Sequence, residues 1–493
     1  MQIKVALPKG RLLAETAARL QRAGWGLSGY QEKARLYRIK SRGFPNISAK
    51  VFHERDIPIQ VAIGNYDLGI CGSDWIEELL AKYPSSALLK VGNLGYGEGA
   101  LYAAGNSGGI STIEEAKSKP GTIRIASEYP NLAESFALNL RLRRFSIFPL
   151  WGAAEVYPPE SADLVLVSGT IDGLLRYGLV PVSRILSVSA CLIANRSSWE
   201  TKDMGELVDS VGDKVMILET ATKPETVRQY LPQHPRKTKV SPRTLEDVVR
   251  FALPDGHQQQ YALHLLAKAG IHLDDYPSAT GNRRPTTDLS GVTIKVIRPQ
   301  DMPLQIANGN FDLAITGQDW LMEHLYQFPS SPVKELVDLK LGKVKIVAVV
   351  SRDLSVDDVY SLRKFNAGRM VPLRVASEYV NIADKYARDN HLGLYRVIPT
   401  WGASEAFIPE DADLLIENTQ TGRTLAQHNL KIIDNLFEST ACLIGSSRRI
   451  SSPIKRERIK SIIETLRMAV EEIVYQPHPL NLPLLLKGRG SGG

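Results

Sequence analysis

The segment ENTQTGRTLAQHNL, residues 417–430, combines an acidic residue with a small-residue turn that opens a helical pattern. Small residues around Gly422 allow consecutive backbone N–H groups to point into one concavity, and a following helix adds its positive N-terminal end. Thr421 and Thr424 can add hydroxyl donors. The segment therefore predicts a site for a phosphate monoester. A strand-to-helix turn with a capping threonine is the alternative.

Glu417 lies just upstream of this turn, at the end of an apolar, strand-like run. In an open parallel sheet the ligand crevice lies outside the carboxyl ends of the strands. A carboxylate at that place suits the two vicinal hydroxyls of a ribose. We therefore expect a phosphorylated sugar to be bound by this segment.

A second group of residues that could bind phosphate lies in the first hundred residues. Lys9 and Arg11 flank a glycine in PKGRL, at the carboxyl end of the first predicted strand, although solvated charges are an equally simple explanation. Further along, RDIPIQVAIGNYDLGICGSDW reads as a helix, a turn and a buried strand. Most of that segment is explained by packing, and only Arg55 and the turn at Gly72 and Ser73 are left for a ligand.

One further polar segment is explained by helix capping alone. ASEYPNL places Ser127 at a predicted helix N-cap with Glu128 in the first turn. A serine cap and an acidic first turn both stabilise a helix start. We therefore assign this segment no chemistry.

The chain carries its motifs twice. Residues 55–75 and 300–320 are identical at 12 of 21 positions, where unrelated sequences would share roughly one, and such self-similarity indicates a repeat. Further pairs of matching motifs follow in the same order, including WGAAE with WGASE and SACLIAN with TACLIGS. The predicted organisation is a first unit at 1–205, a linker and helical joint at 206–246, a second unit at 247–450, and a C-terminal helix with a flexible tail at 451–493.

Within each unit, short apolar runs such as IKVALP and DLGICG alternate with longer segments of helical period. Strands that are apolar throughout and separated by helices are typical of parallel α/β layers. We predict that each unit contains two α/β lobes with a cleft between them.

The composition is that of an ordinary globular protein. Of the 493 residues, 43% are hydrophobic and 23% are charged, and the formal net charge is +7. This modest, dispersed surplus fits phosphate ligands, but there are no basic tracts with interleaved aromatics, so nucleic acid is not expected as a partner. The three cysteines lie in apolar runs and are expected to be buried rather than disulfide-bonded or zinc-bound. No run has membrane-spanning length and MQIKVALPKGRLL lacks the features of a signal peptide, so a cytoplasmic protein is expected.

Taken in order, the motifs ALPKGRL, RDIP with GxxDLGIxG, RIASxYPNL, WGAxE, TGRTL and SxACLI resemble the catalytic portion of ATP phosphoribosyltransferase. The resemblance covers both halves of the chain. It implies two tandem copies of a two-lobed α/β unit like type II periplasmic binding proteins. It also implies the first reaction of histidine biosynthesis, in which the N1 nitrogen of ATP attacks the anomeric carbon of phosphoribosyl pyrophosphate (PRPP) and pyrophosphate leaves. Mg²⁺ would arrive on PRPP and ATP rather than in a cage built by the protein.

The two copies depart from the family pattern in different places. In the second unit, Glu417 corresponds to the family's acidic residue, and the family's T-G-x-T-L loop corresponds to Thr421, Gly422, Arg423, Thr424 and Leu425. The first unit has Val167 in place of the acid and lacks the loop. The resemblance therefore places PRPP in the second unit.

Cations show the opposite distribution. Lys9, Arg11, Arg35 and Arg55 of the first unit correspond to Asp255, His257, Gly281 and Gln300 of the second. Independent decay of two copies would explain this, but complementary loss is the pattern of a fused pseudo-dimer that shares one working site. On that interpretation the four cations are catalytic candidates, and Lys9, Arg11, Gly72 and Ser73 would bind ATP. Displacement of pyrophosphate by a neutral nitrogen requires alignment and cations rather than a general base, so no proton-transfer dyad is predicted.

Two other classes of protein are compatible with parts of this pattern. A regulatory subunit derived from the enzyme could bind nucleotides without turnover, although it would not need the intact acidic residue and loop. A solute-binding protein would share the two-lobed fold, although the expected export signal is missing. The resemblance leaves open a separate regulatory subunit and further homo-oligomerisation.

Overall fold

The computed structural model describes residues 2–31, 37–211, 225–226, 246–279, 281–402 and 404–475. The chain forms two compact units. The first comprises Met1–Thr238 with Ile346–Phe437, and the second comprises Lys239–Lys345 with Glu438–Gly493. The first compact unit is therefore larger than the first repeat, because it also contains Ile346–Phe437 of the second repeat. Because these units are defined by spatial contacts, the repeat boundaries drawn from sequence matches stay a prediction.

The first repeat alternates strands and helices. Its strands are β1 (Ile3–Lys9), β2 (Arg38–Lys40), β3 (Ile47–His53), β4 (Leu68–Gly72), β5 (Leu88–Asn93), β6 (Gly99–Asn106), β7 (Ile123–Ser127), β8 (Phe145–Pro149), β9 (Leu164–Gly169), β10 (Leu179–Val188) and β11 (Ala190–Asn195), followed by β12 (Glu225–Thr226) in the joint. Its helices are Leu13–Arg22, Ile57–Ala62, Ser73–Lys82, Ile113–Ser118, Pro130–Asn139, Ile171–Arg176, Arg196–Thr201 and Gly205–Val211. Strand β4 is buried along its whole length, as expected of a parallel strand covered on both faces.

These strands form two sheets. The first has the order β2-β3-β1-β4-β11-β5, and the second has the order β12-β10-β6-β9-β7-β8. In the first sheet β1 is parallel to β3 and β4, whereas β11 returns from the second sheet and pairs antiparallel with β4 and β5. The first repeat therefore has two α/β lobes, and the chain passes between them twice.

The second repeat has the corresponding elements. Its strands are β13 (Val249–Pro254), β14 (Leu273–Asp274), β15 (Thr286–Thr287), β16 (Val292–Ile297), β17 (Leu313–Gly317), β18 (Val333–Asp338), β19 (Val344–Ser351), β20 (Leu373–Ser377), β21 (Tyr395–Pro399), β22 (Leu414–Thr419), β23 (Leu430–Ser439) and β24 (Ala441–Ser446). Its helices are Gln259–Lys268, Met302–Ala307, Gln318–Gln327, Val359–Asn366, Val380–Asp389, Arg423–Gln427 and Pro453–Tyr475. One-turn 3₁₀ helices lie at Ala154–Val156, Gly256–Gln258, Pro299–Asp301 and Ser404–Phe407.

The sheets of the two repeats have the same strand order. The order β16-β13-β17-β24-β18 matches β3-β1-β4-β11-β5, and the order β21-β20-β22-β19-β23 matches β8-β7-β9-β6-β10. Identical orders in two stretches of one chain are what a duplication produces. The predicted fold class, two tandem copies of a two-lobed α/β unit of the type II periplasmic-binding-protein kind, is confirmed.

One hydrophobic core joins the first lobe of the first repeat to the second lobe of the second repeat. It contains Phe52, Ile57, Val61, Cys71 and Ile193 from the first repeat, and Val349, Ala376, Phe407, Leu415 and Leu425 from the second. The rings of Phe52 and Phe407 meet edge to face, with centroids 5.3 Å apart. Residues more than 350 positions apart therefore pack together. The core includes Leu425, so it places first-repeat residues beside the loop at residues 421–425, which we call the TGRT loop.

A buried ion pair lies beside this core. Lys50 Nζ is 2.7 Å from Asp411 Oδ2 and 3.0 Å from Glu410 Oε2. Tyr66 also donates a hydrogen bond from its hydroxyl to Asp411 Oδ2 (3.0 Å). Lys50 and Asp411 are both almost completely buried, so the charges depend on each other. The first repeat has Ser161 at the position of Asp411, so this pair is a specific feature of one repeat facing the other.

Other expectations about the chain can be compared with the structure. All three cysteines are buried and free, as predicted. None of the helices in the described ranges has the length and apolar character of a membrane span. The predicted C-terminal helix is present at Pro453–Tyr475, whereas most of the joint and the predicted flexible tail lie outside the described residues.

Candidate functional site

The TGRT loop joins β22 to the helix Arg423–Gln427. Gly422 is the residue before that helix and has φ 69°, a conformation that glycine adopts without strain. Two of the loop's N–H groups are bound within the loop. Thr419 Oγ1 accepts from the Gly422 N–H (2.9 Å), and Thr421 Oγ1 accepts from the Arg423 N–H (3.4 Å).

The next two N–H groups, those of Thr424 and Leu425, have no acceptor among the described residues. The first N–H groups of a helix lack intrahelical partners, so such groups are available to an anion. The side chains of Thr421, Arg423 and Thr424 are exposed. Within the described residues, the N–H groups of Thr424 and Leu425 are thus available as donors. The N–H groups of Gly422 and Arg423 are already bound by threonine hydroxyls.

The corresponding segment of the first repeat is an ordinary capped helix. The helix Ile171–Arg176 begins at Thr170, whose Oγ1 accepts from the Gly173 N–H (3.2 Å). No residue of this turn has a positive φ. Val167 occupies the place in β9 that Glu417 occupies in β22. The first repeat therefore lacks both the acid and the extra glycine turn.

Glu417 lies in a group of carboxyls. Ser404 Oγ donates to Glu417 Oε2 (2.5 Å), and the Asn418 N–H donates to Glu417 Oε1 (2.9 Å). Burial raises the pKa of Glu417 to about 8, and the nearby Glu378 and Glu405 add to that shift. Burial also raises the pKa of Glu378 to about 7, against the opposing hydrogen bond from the Gly402 N–H. We call Glu378, Glu405 and Glu417 the acidic cluster.

Arg55 of the first repeat lies over two aromatic rings. Its guanidinium carbon is 4.1 Å from the ring centroid of Trp401 and 5.3 Å from that of Trp75. Burial lowers the pKa of Arg55, while the carboxylates of Glu128 and Glu78 oppose that effect. Within the described part of the chain, no ion pair and no side-chain hydrogen bond engages its guanidinium. Arg55 is thus a cation held by rings rather than by an acid.

Arg55 and Glu417 contact the same short loop from opposite repeats. Trp401 stacks on Arg55, and Ser404, three residues later, donates to Glu417. Burial raises the pKa of the adjacent Asp56, while Arg55 and the Trp401 N–H oppose that shift. The structure therefore places Arg55 and Glu417, which belong to different repeats, against nearby positions of one segment.

Arg11 is less available than its motif suggested. Its Nε donates to Glu54 Oε2 (3.1 Å), and its Nη2 donates to Asp74 Oδ1 (2.7 Å). Its Nη1 donates to Ser168 Oγ (3.3 Å) in the second lobe of the first repeat. Burial acts against its charge, but Asp74 and Glu54 outweigh burial and raise the pKa of Arg11. Arg11 therefore bridges the two lobes, and a phosphate would have to displace those acids.

The other predicted first-repeat residues differ in their accessibility. Lys9 is exposed, with its Nζ 5.4 Å from the centroid of the Tyr37 ring. Gly72 is needed for packing, because a Cβ there would lie 2.2 Å from Asp74 Oδ1 and 2.3 Å from Arg11 Nη2. Ser73 Oγ donates to the Ser187 carbonyl oxygen (3.2 Å). The fourth predicted cation, Arg35, lies outside the described residues.

A cavity of about 520 Å³ lies between the two lobes of the first repeat, lined in part by Lys9, Arg11, Trp75, Glu128, Tyr129 and Thr170. Contacts between the lobes surround it. Glu78 accepts hydrogen bonds from the N–H groups of Asn131 and Leu132 (both 2.9 Å) at the start of the helix Pro130–Asn139. The first repeat therefore has its own cleft, which its own side chains hold together.

The prediction that Ser127 caps a helix is wrong. The helix begins at Pro130, and Ser127 Oγ instead accepts from the Tyr129 N–H (2.9 Å) and donates to the Leu166 carbonyl oxygen (3.1 Å). Ser127 is completely buried at the end of β7. Proline at the first helical position sets the start of this helix, because its fixed φ suits that position and its missing N–H is not needed there.

Sequence reasoning missed the residues that connect the two repeats. Trp401, Ser404 and Glu405 all belong to WGASE, and the repetition of that motif as WGAAE was a usable signal. Glu378 was missed because its segment was assigned to helix capping. Trp75 was missed because an aromatic residue at the end of an apolar motif is more simply explained by a core.

Comparison with known proteins is consistent with this geometry. The family model described as HisG: ATP phosphoribosyltransferase matches two separate segments, residues 53–215 and 298–468. An ATP phosphoribosyltransferase of Prosthecochloris aestuarii is 32% identical over 230 residues, which cover 46% of this chain and 72% of that protein. A Chlorobaculum parvum protein of the same name is 31% identical over 229 residues, or 45% of this chain and 72% of that protein.

A solved structure described as the ATP phosphoribosyl transferase (HisG:HisZ) complex from Thermotoga maritima is similar to 46% of this chain and 100% of that chain. Its sequence identity is 21% and its TM-score is 0.37. The family assignment rests on the sequence matches, which recur once in each repeat. The chain belongs to the ATP phosphoribosyltransferase family, as a tandem duplication of the family's catalytic unit.

Proposed function

We propose that the chain is an ATP phosphoribosyltransferase with one working site shared between its repeats. In the reaction, the lone pair of N1 of the ATP adenine forms a bond to C1′ of PRPP. The bond from C1′ to the pyrophosphate oxygen breaks, and its electrons leave with pyrophosphate. The product is N1-phosphoribosyl-ATP, and this would be the first step of histidine biosynthesis.

The observation that supports this proposal is that Arg55 and Glu417 each contact the WGASE segment, Arg55 at Trp401 and Glu417 at Ser404. Arg55 is a first-repeat cation with no ion pair among the described residues, and Glu417 is a second-repeat carboxyl in the strand that leads into the TGRT loop. A phosphoribosyl group needs donors for its phosphate and a carboxyl for its hydroxyls, and a leaving pyrophosphate needs a cation. The loop, Glu417 and Arg55 would supply these three.

The TGRT loop would bind the 5′-phosphate of PRPP. The free N–H groups of Thr424 and Leu425 are suitable donors, and the exposed Arg423 adds a positive charge. Glu417, which is bridged to Ser404, would bind the ribose hydroxyls. These contacts fix the sugar so that C1′ is presented to the incoming nitrogen, and such alignment lowers the entropic part of the barrier.

Arg55 would stabilise the pyrophosphate as it leaves. Its donors have no partner among the described residues, so the negative charge that develops on the leaving group would be the first ion partner available to them. Fixed cations aimed at developing charge are among the largest contributions to catalysis. Mg²⁺ bound to pyrophosphate and triphosphate would supply further neutralisation as part of the substrates.

ATP would enter beside the first repeat, where Lys9 is the accessible cation of the predicted ATP-binding set. Arg11, Gly72 and Ser73 would support that place through packing and hydrogen bonds rather than direct phosphate contact. On this assignment the chain acts as an internal pseudo-dimer. A separate regulatory subunit and assembly of several chains are compatible with it.

Arg11 and Ser73 are both engaged by protein groups rather than open to substrate, which favours a second candidate, a regulatory subunit without turnover. Incubation of the purified chain with ATP, PRPP and Mg²⁺ separates the two. The enzyme releases pyrophosphate and forms phosphoribosylated ATP, detected by mass, only when both substrates are present. A regulatory subunit binds nucleotide in calorimetry and releases no pyrophosphate. The Glu417→Ala chain, which lacks the carboxyl that would bind the ribose, is the matched control for contaminating activity.

A further inference from the structure

We propose that Trp401 and Trp75 form an aromatic clamp, one ring from each repeat, that orients the Arg55 guanidinium for pyrophosphate. The proposal deepens the proposed function and rests on it for the identity of the leaving group. In this role Trp401 and Trp75 are positioning residues, because they act through Arg55 rather than on the substrate.

The distances support a cation–π contact with each ring. The guanidinium carbon of Arg55 is 4.1 Å from the Trp401 centroid and 5.3 Å from the Trp75 centroid. Both values lie within the range of about 6 Å in which a cation over a ring is attracted by the ring's quadrupole. Tryptophan gives the strongest such attraction. Two rings therefore restrict a side chain that has no ion pair within the described ranges.

Contact with the faces of a guanidinium leaves its N–H edges free for an anion. Its five N–H donors lie in the plane of the group, so contacts to its faces do not use them. In-plane N–H pairs match two oxygens of a phosphate in a bidentate way. A carboxylate partner would occupy the same N–H groups of the guanidinium that a phosphate needs, whereas an aromatic ring against its face does not. The clamp thus holds the cation without competing with the anion.

The Trp75 ring is itself fixed. It is buried and lies 4.4 Å from the Tyr129 ring, and Tyr129 donates from its hydroxyl to Asp74 Oδ2 (2.8 Å). Asp74 also accepts from Arg11. Arg11 thus acts on the site indirectly. It donates to Asp74, Asp74 accepts from Tyr129, and the Tyr129 ring lies against Trp75.

Trp401 comes from the other repeat and is partly exposed, with its ring 6.1 Å from that of Trp151. The same loop continues to Ser404 and Glu417. A shift of Trp401 would therefore move Arg55 relative to the ribose-binding carboxyl. This loop is the link through which the second repeat sets the position of a first-repeat cation.

The test compares Trp401→Leu and Trp401→Phe with the exposed Trp199→Leu as control. Loss of one cation–π contact should lower kcat by about threefold to thirtyfold in Trp401→Leu. PRPP affinity, measured by calorimetry, should change much less, and Trp401→Phe should restore most of the turnover. Trp199→Leu should match the parent chain. Equal kcat in Trp401→Leu and the parent would overturn the clamp.

A binding experiment tests the clamp without turnover. Inorganic pyrophosphate is titrated into the full chain, and tryptophan emission is followed. The clamp predicts a change in emission and a dissociation constant that weakens in both Arg55→Gln and Trp401→Leu but not in Trp199→Leu. If the parent and both variants bind pyrophosphate alike, the clamp is wrong. If the pattern holds while ATP and PRPP give no product, the clamp stands and the proposed reaction fails.

Discussion

Trp151 and Trp401 occupy the same position in the two repeats, and their rings face each other with centroids 6.1 Å apart at an angle of 41°. Contact between residues at equivalent positions fits a duplicated chain. The surroundings are nevertheless unequal, because Arg55 lies over the Trp401 ring and its counterpart in the second repeat is Gln300. The two equivalent tryptophans thus contribute differently to the candidate site.

The TGRT loop should determine PRPP affinity. In Gly422→Val the side chain meets a φ of 69°, which strains the loop, and in Glu417→Ala the carboxyl that binds the ribose is lost. A lost hydrogen bond to the charged phosphate costs about 1.5 to 3 kcal/mol, and loss of the Glu417 carboxyl removes both partners of the ribose hydroxyls, so PRPP should bind at least about tenfold more weakly in either variant. Calorimetry with PRPP checks this, with Gly173→Val in the first repeat as the matched control. Parent-like affinity would place PRPP elsewhere.

The chain should bind a single PRPP. Val167 cannot accept hydrogen bonds from ribose hydroxyls, and the turn after β9 lacks the glycine conformation of the second repeat. Equilibrium titration of the full chain should therefore saturate at one PRPP per chain. Two sites of equal affinity would contradict the asymmetry.

The acidic cluster should make stability depend on pH. The pKa of Glu417 is raised to about 8, above its value in an unfolded chain. Between about pH 4.5 and pH 8 the unfolded state loses this proton before the folded state does, so the contribution of Glu417 to stability falls as pH rises. Glu417→Gln removes this loss of stability at high pH, because glutamine does not ionise. Its melting temperature should equal that of the parent near pH 4.5 and exceed it at pH 8.5, whereas a constant difference would contradict the assignment.

The buried ion pair should stabilise the junction of the repeats. Asp411→Ser copies the residue that the first repeat has at that position and leaves Lys50 buried with only Glu410. We expect a loss of about 3 kcal/mol in the free energy of unfolding, at the low end of the range for a broken buried pair. Denaturant unfolding measures it. The double variant Lys50→Met with Asp411→Leu should regain much of the loss, and no recovery would mean that packing rather than charge is responsible.

The sequence was sufficient for the fold, and it proposed part of the candidate site. Repeated motifs predicted the duplication, and apolar runs separated by helical segments predicted the α/β sheets. Glu417 and the TGRT loop were visible because they are contiguous. Arg55 beside Trp401 was not, since the two residues are far apart in the chain and meet only through the shared core of Phe52 and Phe407.

Charged residues near a strand end were the least predictable. Arg11 and Arg55 looked equivalent in the sequence, yet Arg11 is paired with Asp74 and Glu54 while Arg55 lies over aromatic rings. The difference depends on which carboxylates the folded chain places within hydrogen-bond distance. A motif of a few letters does not contain that information.

The shared site is tested most directly by single-turnover pyrophosphate release in Arg55→Gln, the substitution that copies the second repeat. Removal of one transition-state donor should slow release by roughly tenfold to a thousandfold. PRPP affinity should fall less, because the charge that Arg55 answers develops mainly in the transition state. The exposed Arg196→Gln, also in the first repeat, controls for loss of charge. Release at the parent rate in Arg55→Gln would contradict a site shared through Arg55.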